Sequence, residues 1–170
     1  MKKNILFITR NGLLEPLGQS QILSYLKLLS TDFSINIISF EKQIDLLDNN
    51  KLNKIKKICF DNQISWHIIN YSDKFRFLGV FIGFIQLFLK SFKICKSKNI
   101  DLIHARSYFP AFVALFLKYT IKTPFIFDMR ALWPEELVQS NRLVKGSFQW
   151  KIIKLLETKC LVQQCGNSVA

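Results

Sequence analysis

Residues 124–137 read PFIFDMRALWPEEL, and this stretch decides the fold because a strand-like run stands directly before a helix start. The apolar run 124–127 shows no alternation, which is typical of a strand covered on both faces. Pro134 followed by two glutamates is typical of the first turn of a helix. Asp128 and Arg130 therefore follow the carboxyl end of a strand, where open α/β sheets hold their ligands. The alternative is an ion pair that only shapes the turn.

Other strand-like runs precede this stretch, and segments with helical spacing separate them. They cover 5–9, 35–40, 64–70 and 102–105, with a last strand at 125–128. Helical spacing predicts helices over 19–30, 45–59, 75–97 and 148–162. Strands that alternate with helices predict an α/β fold with a Rossmann-like, doubly wound parallel sheet and helices on both faces. The length of 170 residues and 49% hydrophobic composition favour a single domain over 1–170.

The spacing of cysteines and histidines shows no metal-binding signature. No CxxC pair occurs among Cys59, Cys95, Cys160 and Cys165, and His67 and His104 lie far apart in sequence. We therefore expect no metal, no cofactor and no disulfide framework. Buried thiols and a cytoplasmic location fit this pattern best.

The net charge of +12 points to an anionic partner. Nucleic acid, an anionic bilayer surface and phosphorylated substrates are the candidates. Biased codon usage is a further explanation, because the chain is also rich in Ile, Asn and Phe. The basic residues are spread over several predicted helices and no recognition motif accompanies them, so we expect no nucleic-acid role.

The predicted helix over 75–97 contains an uncharged stretch at 77–89, FLGVFIGFIQLFL, with basic residues on both sides. This stretch is shorter than the roughly 20 residues that a membrane-spanning helix needs. Aromatic, apolar surface beside basic residues favours a helix that lies in the headgroup region of a membrane. The alternative is a crossover helix packed on the sheet, with a solvated basic end.

The loop 10–20, RNGLLEPLGQS, ends in Gly18 at the predicted entrance of a helix. A glycine there lets backbone amides approach a phosphate, although it is also typical of a plain turn. The loop matches neither the GxGxxG fingerprint nor a P-loop.

The segment 101–108, DLIHARSY, places His104 and Arg106 at the end of the fourth strand. In a doubly wound sheet this end neighbours the loops after strands one and five. We therefore expect one crevice lined by Gly18 and by His104, Arg106, Asp128 and Arg130. A hydrogen-bonded core residue is the alternative for His104. No nucleophile elbow precedes Ser107, so a serine nucleophile is not expected.

Three motifs in order, PLGQSQ at 16–21, DLIHARSYFPAF at 101–112 and the stretch at 124–137, resemble the N-terminal half of bacterial family 4 glycosyltransferases. These enzymes have the GT-B architecture of two facing Rossmann-like domains. The resemblance implies that this domain receives the acceptor, while a second domain binds most of the nucleotide-sugar donor.

The resemblance also implies roles for single residues. Acceptor- or donor-binding roles fall on Gly18, Gln19, His104 and Arg106. Asp128 and Arg130 are the implied catalytic residues, because Arg130 stands where many members have a histidine that faces the reacting sugar. Ala131 replaces the aspartate of the common form RDLWPE.

The implied reaction transfers a sugar, with retention and without a metal, to a lipid-linked or polysaccharide acceptor at the inner face of the membrane. The donor-binding domain would follow position 170, and residues 166–170 resemble the start of a further strand. We therefore expect a sheet incomplete at its C-terminal end and a chain that is inactive alone. The alternatives are a subunit that works with a separate donor-domain chain and a non-catalytic, membrane-surface binding module.

Overall fold

The computed structural model describes residues 2–71 and 76–165. The strands are β1 (Asn4–Ile8), β2 (Ser34–Lys42), β3 (Ser65–Tyr71), β4 (Leu102–Arg106) and β5 (Phe125–Asp128). Within the described residues they form one parallel sheet in the order β3-β2-β1-β4-β5. The predicted Rossmann-like α/β fold is confirmed. The predicted strand start at 166–170 lies outside the described residues.

Helices connect the strands. A π-helical segment (Gly18–Leu23) leads into α1 (Ser24–Leu29), and the others are α2 (Gln43–Leu46), α3 (Asn49–Asp61), α4 (Arg76–Lys98), α5 (Tyr108–Ile121), α6 (Trp133–Gln139) and α7 (Phe148–Cys165). The single helix predicted over 45–59 is two helices. The reason is Asp48, whose side chain accepts a hydrogen bond from the Lys51 amide and caps a new helix there.

The sheet separates two hydrophobic layers, and the central strand β1 contributes to both. Leu6 and Ile8 pack with residues of α4, α5 and α7. Ile5 and Phe7 face the opposite way and pack with residues of the π-helical segment, α1 and α3. A strand buried on both faces needs apolar side chains at every position, which explains the continuous run in β1.

The expectation that β5 is covered on both faces is wrong. Phe125 and Phe127 are buried against α5 and α7, whereas Ile126 between them is 44% exposed. In the described part of the chain, β5 lies at the edge of the sheet and helices cover one of its faces. The predicted helix start is confirmed, because α6 carries Pro134 in its first turn, followed by Glu135 and Glu136.

Helix α4 packs on the sheet as a crossover helix, and its place at a membrane surface stays a prediction. Leu87, Ile94 and Cys95 are buried in the core, as expected of a crossover helix. An exposed apolar stripe lies on the other side of the helix and consists of Phe81, Ile82, Ile85 and Leu89. Within the described ranges, no helix is both long and apolar enough to cross a bilayer.

The described thiols, Cys59, Cys95 and Cys160, are buried, as predicted. Burial raises the pKa of Cys59 to about 11 and that of Cys95 and Cys160 to about 12. These thiols are therefore protonated at neutral pH and behave as small apolar side chains. Among the described residues, no group of three or more His, Cys, Asp or Glu side chains could hold a metal ion.

Candidate functional site

The carboxyl ends of β1, β4 and β5 lie side by side at one edge of the sheet. Strand β4 pairs with both neighbours, so that Ala105 stands opposite Ile8 and Arg106 stands opposite Asp128. Parallel pairing sends all three strands in the same direction. The loops that follow them therefore meet at this edge, as the sequence predicted.

Four of the predicted site residues form a charged cluster at this edge, namely His104, Arg106, Asp128 and Arg130. The Nε2 atom of His104 lies 3.6 Å from Oδ2 of Asp128, and a guanidinium nitrogen of Arg130 lies 3.6 Å from Oδ1. Both distances are too long for hydrogen bonds, so these contacts are electrostatic. The Arg130 side chain is 49% exposed and can reach a bound molecule.

His104 lies on the face of the sheet that α1 covers. Its ring packs 4.6 Å from the ring of Phe7 and 6.1 Å from that of Tyr25, measured between centroids. Burial lowers the pKa of His104, and the nearby Asp128 carboxylate only partly offsets this effect. The Nε2 atom is buried and has no hydrogen-bond partner within the described residues. His104 is therefore a neutral imidazole that points a polar atom at the Asp128 carboxylate.

Arg106 is buried and held in place by Gln21, whose side-chain oxygen accepts a hydrogen bond of 2.6 Å from the guanidinium. Burial, followed by the charge of Arg130, lowers the pKa of Arg106. An arginine remains a cation under these conditions. Sequence reasoning did not select Gln21, although it ends the PLGQSQ motif. The available signal was its helical spacing, which places Gln21 one turn after Gly18 and so on the same side of the helix.

Ser107 adopts a backbone conformation that L-residues rarely occupy, with φ 74° and ψ 174°. Such a conformation costs roughly 1–3 kcal/mol and is concentrated at functional sites. Its amide donates a 2.9 Å hydrogen bond to the carbonyl of Asp128, which ties the end of β4 to the end of β5. Residue type and spacing gave no signal of this strain.

The contacts of Gly18 and Gln19 are with their own loop and not with the charged cluster. Gly18 is buried, and a Cβ atom at this position would stand 1.8 Å from the carbonyl oxygen of Gly12. The side chain of Gln19 donates to the carbonyl of Leu14. Close packing thus explains the glycine, and its role beside a phosphate stays a prediction.

A buried glutamate at the end of β2, Glu41, anchors the same loop. Its carboxylate accepts hydrogen bonds of 2.7 Å and 3.1 Å from the amides of Leu13 and Leu14, and one of 2.6 Å from the Ser39 hydroxyl. A Cβ atom on Gly12 would stand 2.4 Å from Glu41 Oε2. Burial raises the pKa of Glu41, while its three donors lower it. Sequence reasoning missed this residue, although a lone acid in an apolar strand was a usable signal.

A pocket of about 520 Å³ opens at the same edge, on the face of the sheet that α5 covers. Its walls include the aromatic residues Phe40, Tyr108, Phe109, Phe112 and Trp133. Its polar walls include Arg10, Asn11, Glu15, Lys42 and Ser107. None of the predicted site residues lines it in the described part of the chain. Four of the five residues expected in one crevice lie together in the cluster, whereas Gly18 packs against Gly12, and the crevice itself stays a prediction.

A buried polar network fixes one wall of this pocket. The Tyr108 hydroxyl donates a 2.6 Å hydrogen bond to Glu157 of α7, and burial together with this bond raises the pKa of Tyr108. Lys154 contacts both Glu157 and Glu135, which links α7 to α6. The rings of Tyr108 and Trp133 pack 5.6 Å apart. The network therefore holds the two aromatic walls in a fixed relation.

No protein-family model matches this sequence, and no curated protein matches it. Among solved structures, a glycosyltransferase from Rickettsia africae ESF-5 is similar, with 21% identity and a TM-score of 0.44, over 74% of this chain and 29% of that protein. A protein from Listeria monocytogenes described as a UDP-N-acetylglucosamine 2-epimerase is similar at 9% identity and a TM-score of 0.55, over 99% of this chain and 43% of that protein.

The chain thus spans less than half the length of either protein. The likeness to the Listeria protein is one of fold, and it agrees with the five-stranded parallel sheet. The fold defines the chain as a member of the Rossmann-like α/β class.

We expect Gly18→Ala to lower the free energy of unfolding by about 2 kcal/mol, because the new methyl group must displace the Gly12 backbone. Gly83→Ala is the matched control, since its Cβ would meet Phe40 at 3.5 Å, an ordinary contact. Within helix α4 that change should be neutral or stabilising by about 0.5–1 kcal/mol. Urea unfolding of both variants measures the difference, and equal effects would contradict the close-packing explanation.

Glu41 should make stability depend on pH. Because its folded pKa lies above the ordinary value of 4.5, the folded state holds the proton more tightly than the unfolded state. Its contribution is complete below pH 4.5 and is lost as pH rises through the folded pKa. Urea unfolding at several pH values should show this decline, and Glu41→Gln should flatten it. Glu136→Gln, an exposed acid in α6, should leave the decline unchanged.

Proposed function

We propose that this chain is the acceptor-binding domain of a glycosyltransferase with GT-B architecture. The enzyme would transfer a sugar from a nucleotide-sugar to a lipid-linked or polysaccharide acceptor, and a second domain would hold most of the donor. The observation that carries the proposal is the charged cluster. Its four residues come from the two motifs that resemble family 4 glycosyltransferases, and the parallel sheet brings those motifs to one edge.

The charges of the cluster suit a reaction in which a diphosphate leaves. Arg106 is a buried cation, and Arg130 is a partly exposed one that lies 3.6 Å from Asp128. Cations fixed where negative charge develops stabilise a transition state more than flexible ones do. In this proposal Arg130 contacts the developing charge, Arg106 adds to the positive field, and Asp128 orients Arg130.

His104 has a different part in the proposal. Its Nε2 atom is buried and lies 3.6 Å from Oδ2 of Asp128. The neutral imidazole would therefore hold the Asp128 carboxylate in place beside the arginines, and it would not act as a strong base. Catalysis would then depend mostly on positioning and on charge stabilisation, and no metal ion is required for either.

Binding to a membrane surface is a second candidate function, and helix α4 carries it. Its exposed apolar stripe of Phe81, Ile82, Ile85 and Leu89 continues into the exposed Lys93 and Lys96 on the same side of the helix. Apolar surface next to lysines suits an anionic bilayer surface. This candidate is compatible with the first, because a lipid-linked acceptor is presented at such a surface.

The test protein joins this chain to a donor-binding domain. In it we expect Arg130→Ala to lower the turnover number of sugar transfer, which corresponds to a loss of about 2–4 kcal/mol in transition-state stabilisation. The free energy of unfolding should change far less, because Arg130 is half exposed and makes only a long ion pair. Arg142→Ala, an exposed arginine after α6, is the matched control and should leave turnover unchanged. An unchanged turnover number for Arg130→Ala would contradict the catalytic role and leave Arg130 as the partner of a structural ion pair.

The chain should bind anionic vesicles through α4. Changing Lys93 and Lys96 to glutamine should weaken binding by about 2 kcal/mol, since each lysine near the surface is worth about 1 kcal/mol. Lys90 is left unchanged because its ammonium donates to the carbonyl of Ile68. Vesicle co-sedimentation at increasing salt measures the effect.

The matched control for this prediction changes Lys54 and Lys57 of α3, which are also exposed, to glutamine. The two double variants have the same net charge, so a loss confined to the α4 variant would identify the binding helix. Equal binding of the natural chain to neutral and anionic vesicles would contradict a membrane role for its charge.

A further inference from the structure

A second pocket, of about 570 Å³, lies between strand β3 and helix α4, and we call it the edge pocket. Strands β3 and β5 stand at opposite ends of the sheet order, and the edge pocket shares no residue with the charged cluster. Its volume falls in the range of pockets that bind small organic molecules. Its walls are Ile68, Ile69 and Asn70 of β3 and Gln86, Leu89, Lys90 and Lys93 of α4.

Lys90 places a positive charge in the edge pocket. Its ammonium donates a 2.5 Å hydrogen bond to the carbonyl of Ile68, which fixes the ammonium on the edge strand. That acceptor is neutral and uses one of three donors, so two donors remain for a ligand in the described part of the chain. Burial lowers the pKa of Lys90, which shows that water solvates the ammonium incompletely. A bound anion would replace the missing solvation.

The other polar walls of the edge pocket add to its preference for an anion. Lys93 is exposed one helical turn after Lys90. Among the described residues, neither lysine forms an ion pair and no acid lines the pocket. The side-chain amides of Asn70 and Gln86 are further donors. The lining therefore presents two positive charges and several hydrogen-bond donors to one ligand.

We infer that the edge pocket binds a phosphate monoester, with its phosphate on Lys90 and Lys93 and its carbon part against Ile68, Ile69 and Leu89. A phosphate monoester carries a charge of about −2 at neutral pH, which matches the two lysines. A carboxylate would leave one of them without a counter-charge. Lysine ammonium groups bind phosphate as point charges. The inference goes beyond the proposed function, which uses residues after β4 and β5.

Two sources can present this group, namely a soluble metabolite and a lipid headgroup. Leu89 belongs both to the edge pocket and to the exposed apolar stripe of α4, so the carbon part of either molecule meets apolar surface. The chemistry that recognises the phosphate is the same in the two cases. The experiment therefore has one arm for each source.

Calorimetric titration of the 170-residue chain is the soluble arm. Glycerol 3-phosphate carries the phosphate monoester, glycerol carries only the carbon part, and acetate carries a single negative charge. We expect glycerol 3-phosphate to bind more tightly than glycerol and acetate. In the lipid arm, co-sedimentation compares vesicles that contain phosphatidic acid with phosphatidylglycerol vesicles of equal surface charge. Preference for phosphatidic acid without binding of glycerol 3-phosphate would support the inference with a lipid as the source.

Two lysine variants locate the site. Lys90→Gln should weaken binding of the phosphate monoester by about tenfold, because a charge-assisted hydrogen bond is lost. Lys93→Gln should weaken it by about threefold, because an exposed charge contributes less. Lys93 makes no ion pair among the described residues, so its replacement tests the site without disturbing the fold. Lys57→Gln in α3 removes the same charge elsewhere and should leave binding unchanged.

The two histidines of the chain report where the anion binds. Burial, followed by the charges of Lys90 and Lys98, lowers the pKa of His67. A phosphate on Lys90 offsets part of that charge and should raise the pKa of His67, because an anion favours the imidazolium. His104 belongs to the charged cluster and should keep its pKa. Proton NMR titration of the imidazole rings, with and without glycerol 3-phosphate, measures both values, and His67→Gln assigns the signals.

A response of His104 without a response of His67 would place the anion in the charged cluster and overturn the inference. Acetate binding as tight as that of glycerol 3-phosphate would also overturn it, as would an equal loss in Lys57→Gln. Absence of monoester binding from both sources would do the same. None of these failures touches the proposed function, which is tested by sugar transfer and by Arg130→Ala.

Discussion

The whole arrangement depends on the parallel pairing of β1 with β2 and β4. Each connection between parallel neighbours must cross back over the sheet, so all the strands start at one edge and end at the opposite edge. The crossovers bury β1 on both faces, and they deliver the residues after β1, β4 and β5 to one place. Residues that lie more than a hundred positions apart, such as Thr9 and Asp128, thereby come to the same edge of the molecule.

The elements of this fold could be predicted from the sequence because they depend on local patterns. Apolar runs predicted the strands, and Pro134 followed by two glutamates predicted the start of α6. The same holds for His104, Arg106 and Asp128, whose position at strand ends follows from their place in the chain. The edge position of β5 could not be predicted, because it depends on which strands and helices lie beside it and not on its own residues.

The residues that sequence reasoning missed all act through long-range contacts. Glu41 is an acid in an apolar strand, and only the folded loop supplies the amides of Leu13 and Leu14 that make its burial tolerable. Gln21 matters because a helix carries it to Arg106. The pocket itself joins side chains from β2, α5 and α6, and no sequence spacing indicates that Phe40 and Trp133 share a cavity.

The charged cluster and the aromatic pocket lie on opposite faces of the sheet, yet one tripeptide contributes to both. Arg106 is part of the cluster, Tyr108 is a wall of the pocket, and Ser107 turns the chain between them in a strained conformation. The bond from the Ser107 amide to the Asp128 carbonyl fixes that turn to β5. A rigid link of this kind sets the distance between the two sites, so substitutions on either side of Ser107 should affect both sites and not add independently.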